Sequence, residues 1–238
     1  MRAALEDAAI DIAAVATANR RKMLLVADMD STIIGQECLD ELADAAGLGG
    51  RITELTRRAM AGEMDFAEAL AQRVAMLKGL PEQTLQQVFD ERIRLNHGAR
   101  TLLATMAANG AHSALVSGGF RFFTSRVAAA TGFETFTGNE LEITGGRLTG
   151  RVAGAIVGAE GKLAALRTEA ARHGLRPGDV LATGDGANDV PMLRAAGLSV
   201  AYHAKPRVRD AATARVDHGD LTALLFLQGY QAAEFVAG

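Results

Sequence analysis

Met23-Leu24-Leu25-Val26-Ala27-Asp28-Met29-Asp30-Ser31-Thr32 is the stretch whose reading decides the fold. Five apolar residues follow one another without alternation and stop abruptly at Asp28. A strand with one wet face alternates, whereas a strand covered on both faces reads as an unbroken apolar run. The segment therefore predicts a strand of a parallel sheet with helices on both sides.

The chain downstream carries the same reading. After Gly98 helical and strand patterns alternate, as a parallel α/β sheet requires. Helices are expected over Ala99–Asn109, Phe120–Thr131, Gly161–His173 and Val190–Ala196, and strands over Ser113–Val116, Val180–Thr183 and Leu198–Tyr202. Leu141–Thr144 and Arg147–Val152 flank Gly145-Gly146, a hairpin signal. From Gln36 to about Arg94 helical patterns dominate and no strand stands out. There Asp65 followed by Glu68 reads as a capping box, and Pro81 is suited to the first position of the next helix. Leu221–Leu227 reads as a terminal core helix, and the Ala-rich Met1–Lys22 as a loosely docked one.

The expected fold is α/β: a Rossmann-like parallel-sheet core with a small helical cap inserted after the first strand. Residues 1–22 form an N-terminal segment, 23–34 and 98–238 the core, and 35–97 the cap. With 238 residues, 49% of them hydrophobic, one full core and a small insert fit. A net charge of -3 offers no basic surplus for nucleic acid, so a small anionic ligand is the expected partner. The single cysteine, Cys38, excludes an internal disulfide and agrees with a reducing compartment. No stretch of about 20 apolar residues occurs, so no membrane partner is expected and the location is read as cytoplasmic.

Ligands of an open parallel sheet bind beyond the carboxyl ends of its strands, which singles out three loops. Asp28-Met29-Asp30-Ser31-Thr32 places two carboxylates after a buried strand; alone it also reads as a polar turn with a helix cap. Ser117-Gly118-Gly119 follows the second strand, where a hydroxyl and glycine amides suit phosphate oxygens, although Ser-Gly-Gly is also an ordinary turn. Gly184-Asp185-Gly186-Ala187-Asn188-Asp189 follows another strand and is again acidic. Three such loops at three strand ends define one site. Facing carboxylates repel unless a hard cation sits between them, and an oxygen-only ligand set favours magnesium over zinc. Lys162, at the start of a helix, reads alone as readily as a surface residue, yet the site needs a fixed cation.

These motifs, in this order across residues 23–202, resemble those of the haloacid dehalogenase superfamily of phosphotransferases. Asp28-x-Asp30-Ser31-Thr32 is similar to its first motif, Ser117-Gly118-Gly119 to the second, Lys162 to the third and Gly184–Asp189 to the fourth. The strings DMDSTIIGQE (Asp28–Glu37) and VAYHAKPRV (Val200–Val208), with Arg73 in the insert, resemble its phosphoserine phosphatase family from Lys22 to Tyr230. Many bacterial members carry an additional N-terminal regulatory domain, whereas here a short segment precedes the core.

The resemblance implies a magnesium-dependent phosphatase acting on phosphoserine, the last step of serine biosynthesis, as a monomer or homodimer. Asp28 is then the nucleophile, and Asp30 the acid and later the base. Magnesium is held by Asp28, the Asp30 carbonyl and Asp185. Ser117, Gly118, Lys162 and Asn188 stabilise the phosphoryl oxygens, while Asp189 orients Lys162 or a metal-bound water. In the cap, Glu37 takes the substrate ammonium and Arg73 its carboxylate. Phe66 lies two helical turns from Arg73 on the same face and closes over the substrate. Read alone, Glu37 is a helix-start charge, Arg73 a solvated face and Phe66 core. Met60 reads equally as an apolar wall or as core filling. Phosphohomoserine or another small phosphomonoester is the alternative substrate. A regulator that has lost catalysis is disfavoured because both Asp28 and Asp30 are intact. Of the histidines, His97, His112, His173 and His218 fall outside every motif and read as structural or surface; His203 sits in the AYHAKP loop.

Overall fold

Strand β1 (Leu24–Ala27) lies fully buried at the centre of the sheet, with Leu24 and Val26 in the core on one face and Leu25 and Ala27 in the core on the other. This two-sided burial is what the unbroken apolar run encodes. The computed structural model of the chain describes residues 9–49, 55 and 65–238. Six further strands complete the sheet: β2 (His112–Phe120), β3 (Thr135–Thr144), β4 (Arg147–Ala153), β5 (Val180–Gly184), β6 (Leu198–Tyr202) and β7 (Ala214–Val216). Their order is β4-β3-β2-β1-β5-β6-β7, parallel throughout except for the antiparallel β3–β4 hairpin.

The described helices are α1 (Cys38–Ala45), α2 (Phe66–Met76), α3 (Gln83–Arg92), α4 (Ala99–Ala108), α5 (Arg121–Thr131), α6 (Ala159–Arg172), α7 (Val190–Ala195), α8 (Pro206–Arg209) and α9 (Ala223–Leu227). Leu102 of α4, Phe123 of α5 and Leu224 of α9 join the core on one face of the sheet. Leu166 of α6, Met192 of α7 and Val208 of α8 join it on the other. Strand β1 pairs with β2 on one side and β5 on the other. The strand order therefore reverses beside β1, and the crevice for a ligand opens beyond its carboxyl end.

Residues 34–95 leave and rejoin the sheet side by side. Ile34 and Leu95 form an antiparallel bridge, and the Asn96 amide of the returning strand donates to the Ile33 carbonyl at 2.9 Å. Helix α2 opens with the Asp65 side chain accepting from the Glu68 amide at 2.8 Å, the N-cap half of the expected box. Pro81 does not open α3, which begins at Gln83. Pro81 instead lies extended in a bridge with Arg147 of the hairpin. The Gly79 amide donates to Leu148 at 2.8 Å and the Glu82 amide to Gly146 at 2.9 Å, so the α2–α3 connection is tied to β3–β4. Gly145 and Gly146 both have positive φ, +58° and +73°, as a two-residue turn matching the strand twist demands.

Three further expectations are corrected. Strand β2 continues past Val116 through Ser117-Gly118-Gly119 to Phe120, its register shifting between Val116 and Phe120. Asn139 of β3 makes this extension possible, donating to the Gly118 carbonyl at 2.8 Å and accepting from the Val157 amide at 2.8 Å. Strand β7 and the first half of β3 carry too few apolar residues to stand out in the sequence. The N-terminal segment, over its described residues 9–22, is not helical but a docked coil. Asp11 accepts from the amides of Asp217, His218 and Gly219, and Arg20 donates to the Leu227 and Phe226 carbonyls. Alanine content favours a helix only where no side chain offers the backbone a better partner. No helix among the described residues is long and apolar enough to cross a membrane.

Candidate active site

The carboxyl ends of β1, β2 and β5 meet in a cavity of about 640 Å³ lined by Asp28, Asp30, Gly118, Asp185 and Asn188 from the sheet side. From the other side it is closed by Glu37, Phe66 and Arg73. The sheet register produces the first set. Ala27 is level with Leu115 of β2 and Thr183 of β5, and the Asp28 amide donates to the Thr183 carbonyl at 3.0 Å. Loop residues after three neighbouring strands are thus delivered to one edge.

At the floor, the Lys162 ammonium lies fully buried between Asp28 Oδ1 at 2.7 Å and Asp189 Oδ1 at 2.6 Å. Helix α6 brings it there from its first turn. Burial alone would strip its proton, but the two carboxylates outweigh burial and hold it firmly charged. Asp189 Oδ2 accepts from the Gly186 amide at 3.0 Å, so both its oxygens are committed. Asp28, Asp185 and Asp189 present carboxylate oxygens within 4.8 Å of one another, all buried. Three carboxylates against one ammonium leave negative charge unbalanced. Accordingly Asp28 is pushed well up by burial and by Asp189, and Asp185 up to about 7 by burial, Asp189 and Glu37. Such an oxygen-only, anionic, buried cluster fits a hard divalent cation.

Asp30 has a different environment. Its Oδ1 accepts from the Cys38 amide at 3.0 Å and its Oδ2 from Ser117 Oγ at 3.1 Å. Burial, then the nearby Glu37 charge, push it up to about 6. Ser117 Oγ in turn accepts from the Gly119 amide at 2.8 Å. A side chain at Gly119 would put its Cβ 2.5 Å from Asp30 Oδ2, which accounts for the second glycine of the motif. The Asp30 side chain stands apart from the cluster of Asp28, Asp185 and Asp189; the sequence reading assigned only its backbone carbonyl to the metal.

In the insert, Glu37 occupies the N-cap position of α1 and accepts from Ser31 Oγ at 2.7 Å while lining the cavity. Ser31 takes the left-handed region, φ +55°, to make that turn. Phe66 lies against the floor: a Cβ on Gly118 would sit 2.9 Å from its Cζ, and one on Gly158 3.2 Å from its Cδ1. The Arg73 Nε donates to the Ala69 carbonyl at 3.2 Å, and burial lowers its pKa against the pull of Asp40 and Glu37. The structure thus brings Asp28, Asp30, Gly118, Asp185 and Asn188 together with Glu37, Phe66 and Arg73 around one cavity, while Ser117, Lys162 and Asp189 lie buried behind that lining, bonded to Asp30 and Asp28 or to one another. Met60 lies outside the described residues.

Lys205 and Arg207 also line the cavity, and sequence reading missed them. The signal was available: both follow β6 at the same edge of the sheet, where cations meet an anionic ligand. Lys205 draws the Asp185 pKa down and its amide donates to the Asp185 carbonyl at 3.3 Å. His203, by contrast, is structural: its Nε2 lies 2.9 Å from the Gly219 carbonyl and its ring packs on Tyr202.

The family model of haloacid dehalogenase-like hydrolases matches residues 25–194, a span that includes every sheet-side motif of the cavity. The chain belongs to this family. Within these hydrolases it groups with the phosphoserine phosphatases. It is 46% identical over 209 residues to the phosphoserine phosphatase of Polaromonas sp., covering 86% of this chain and 89% of that protein. It is 45% identical over 208 residues to that of Archaeoglobus fulgidus, where it spans 87% of this chain and 60% of the relative's length. Among solved structures, a phospho-aspartyl intermediate analogue of phosphoserine phosphatase superposes with a TM-score of 0.81 at 33% identity, covering 87% of this chain and 98% of the other. The sheet order and the antiparallel edge hairpin are therefore those of a haloacid dehalogenase-like hydrolase.

Proposed function

We propose that the protein hydrolyses O-phospho-L-serine to L-serine and phosphate through a phospho-aspartate on Asp28, the last step of serine biosynthesis. One observation carries this reading. Two carboxylates two residues apart at one cavity have divergent surroundings: Asp28 touches a buried ammonium, while Asp30 accepts from Ser117 and Cys38 and is held near 6. Pairs of carboxylates with separated environments divide nucleophilic and acid–base work.

In this reading the Asp28 carboxylate attacks phosphorus and the bond from phosphorus to the serine oxygen breaks. Asp30 gives its proton to that departing oxygen. A water then attacks the phospho-aspartate, passes a proton to Asp30, and releases phosphate from Asp28. Lys162 neutralises Asp28 and the phosphoryl oxygens, Asn188 donates to those oxygens, Ser117 turns its hydroxyl from Asp30 to them once Asp30 carries its proton, and Asp189 positions Lys162. Asp28, Asp185 and the Asp30 carbonyl would hold magnesium, which when bound supplies the positive charge that lets an anionic ester approach an anionic nucleophile. Residues 35–97 serve as the cap and residues 23–34 with 98–238 as the core. In that cap Glu37 meets the substrate ammonium, Arg73 its carboxylate, and Phe66 shuts out water. A cytoplasmic location, supported by the lone, buried Cys38, and a monomeric or dimeric state belong to the same reading.

Phosphate release from L-phosphoserine, phosphothreonine, phosphohomoserine and an aryl phosphate, each with magnesium and with chelator, tests the proposal. A magnesium-dependent preference for phosphoserine is expected. Preference for another ester would overturn the roles of Glu37 and Arg73, and no turnover of any ester would overturn the activity itself.

A further inference from the structure

At the opposite end of the sheet from the cavity, three residues that belong to no motif converge. His112 opens β2, level with Leu24 at the amino end of β1. Glu134 immediately precedes β3, the next parallel strand, and His173 caps the carboxyl end of α6. Each is fixed through its backbone: the His112 amide donates to Met23 at 2.9 Å, the Glu134 amide to Ser113 Oγ at 3.2 Å and the His173 amide to Glu169 at 3.3 Å. His112 Nδ1 lies 2.9 Å from Glu134 Oε2. The two imidazoles stack with centroids 3.5 Å apart and planes 16° from parallel. One ligand atom from each of the three residues lies within 4.8 Å of the other two. Glu169 adds a carboxylate oxygen 3.8 Å from His173 Nε2.

We propose that His112, Glu134 and His173 form a second metal site, for a borderline divalent ion of the zinc class, distinct from the carboxylate pocket of the cavity. Two imidazoles and a carboxylate are the donor set that selects such an ion over magnesium. Ligand atoms on a tetrahedral zinc stand about 3.3 Å apart, given bonds of about 2.0–2.1 Å. The His112–Glu134 contact of 2.9 Å is already close to that spacing, whereas the stacked rings hold their lone pairs side by side, so binding requires the imidazoles to turn about their Cβ–Cγ bonds until both face the ion. Partial exposure leaves an entry path, since the side chains of His112 and Glu134 are 37% and 46% accessible. Glu169 is placed to orient His173 or to serve as a fourth ligand. The ion would clip β2, the approach to β3 and the end of α6 together without entering the catalytic chemistry.

The test uses the full chain in excess magnesium, which keeps the carboxylate pocket occupied by a hard cation. Equilibrium dialysis against zinc, and the visible spectrum on adding cobalt, are compared between the wild type and the His112→Ala/His173→Ala variant. The wild type is expected to bind one more zinc per chain, with tetrahedral cobalt absorption. The variant should lose both while its phosphate-releasing activity persists. Glu134→Gln, which keeps the shape and removes the charge, should bind zinc at least tenfold more weakly and guards against a variant that does not fold. Equal zinc binding by wild type and variants, or none by the wild type, would overturn the proposal.

Discussion

Gly118→Ala tests whether closure of Phe66 over the floor sets the rate. The added Cβ would lie 2.9 Å from Phe66 Cζ and 3.4 Å from Asn188 Nδ2. Carbon atoms in contact prefer about 3.5–4.0 Å, so the ring must retreat by roughly 0.6–1.1 Å. A misplacement of that order costs up to about 10²-fold where geometry controls the reaction. The expected loss in kcat/KM for phosphoserine is between about 10- and 100-fold, or roughly 1.4–2.7 kcal/mol of transition-state stabilisation. Phe66→Ala removes the obstacle along with the ring. In a Phe66→Ala background, adding Gly118→Ala should therefore cost less than threefold. Initial rates of phosphate release for the four proteins complete the cycle, with a thermal melt to verify folding. Wild-type kcat/KM in Gly118→Ala, or full additivity of the two changes, would refute the reasoning.

Arg73→Lys keeps the charge but loses the planar fork, so KM for phosphoserine should rise about tenfold or more with a smaller change for an aryl phosphate; equal losses for both would remove Arg73 from substrate choice. Lys162→Met leaves Asp28 and Asp189 buried without their cation. Turnover should fall by at least about 10³-fold, and stability in chelator by about 3–5 kcal/mol, both measurable by phosphate release and denaturant melts. Burial pushes the Asp11 carboxyl up, but the amides of Asp217, Gly219 and His218 outweigh it and leave it below the usual value of 3.8. A depressed native pKa stabilises above the unfolded value and is lost as pH falls through the native one. Asp11→Ala should therefore lower Tm at neutral pH and flatten the acid limb of the Tm–pH curve below about pH 4; an unchanged acid limb would argue against the docked segment.

The sequence made the centre of the fold readable because β1, β5 and β6 are buried on both faces and are therefore largely apolar, with only Thr183 and Ser199 as polar exceptions. Strand β7, Ala214–Val216, interrupts its apolar pair with a half-exposed Arg215, so periodicity has nothing to detect. The extension of β2 through three small polar residues depends on Asn139, a partner 21 or more positions away, and no local pattern encodes it. The docking of residues 9–22 is likewise made by Asp11 and Arg20 reaching residues more than 200 positions distant. In the site, residues at strand ends were legible because the fold alone dictates where such residues meet. Lys205 and Arg207 follow the same rule, yet no neighbouring acidic or glycine-rich pattern drew attention to them. That Lys162 touches Asp28 and Asp189 rather than solvent is decided by where α6 begins, which spacing does not fix.

The central claim, that the phosphoryl group passes through Asp28, is tested most directly by mixing the enzyme with radiolabelled phosphoserine and quenching in acid within a single turnover. The account predicts protein-bound label that alkali releases, present in the wild type and absent from Asp28→Asn, together with loss of turnover in that variant. Undiminished turnover by Asp28→Asn, or label that the substitution leaves in place, would contradict it.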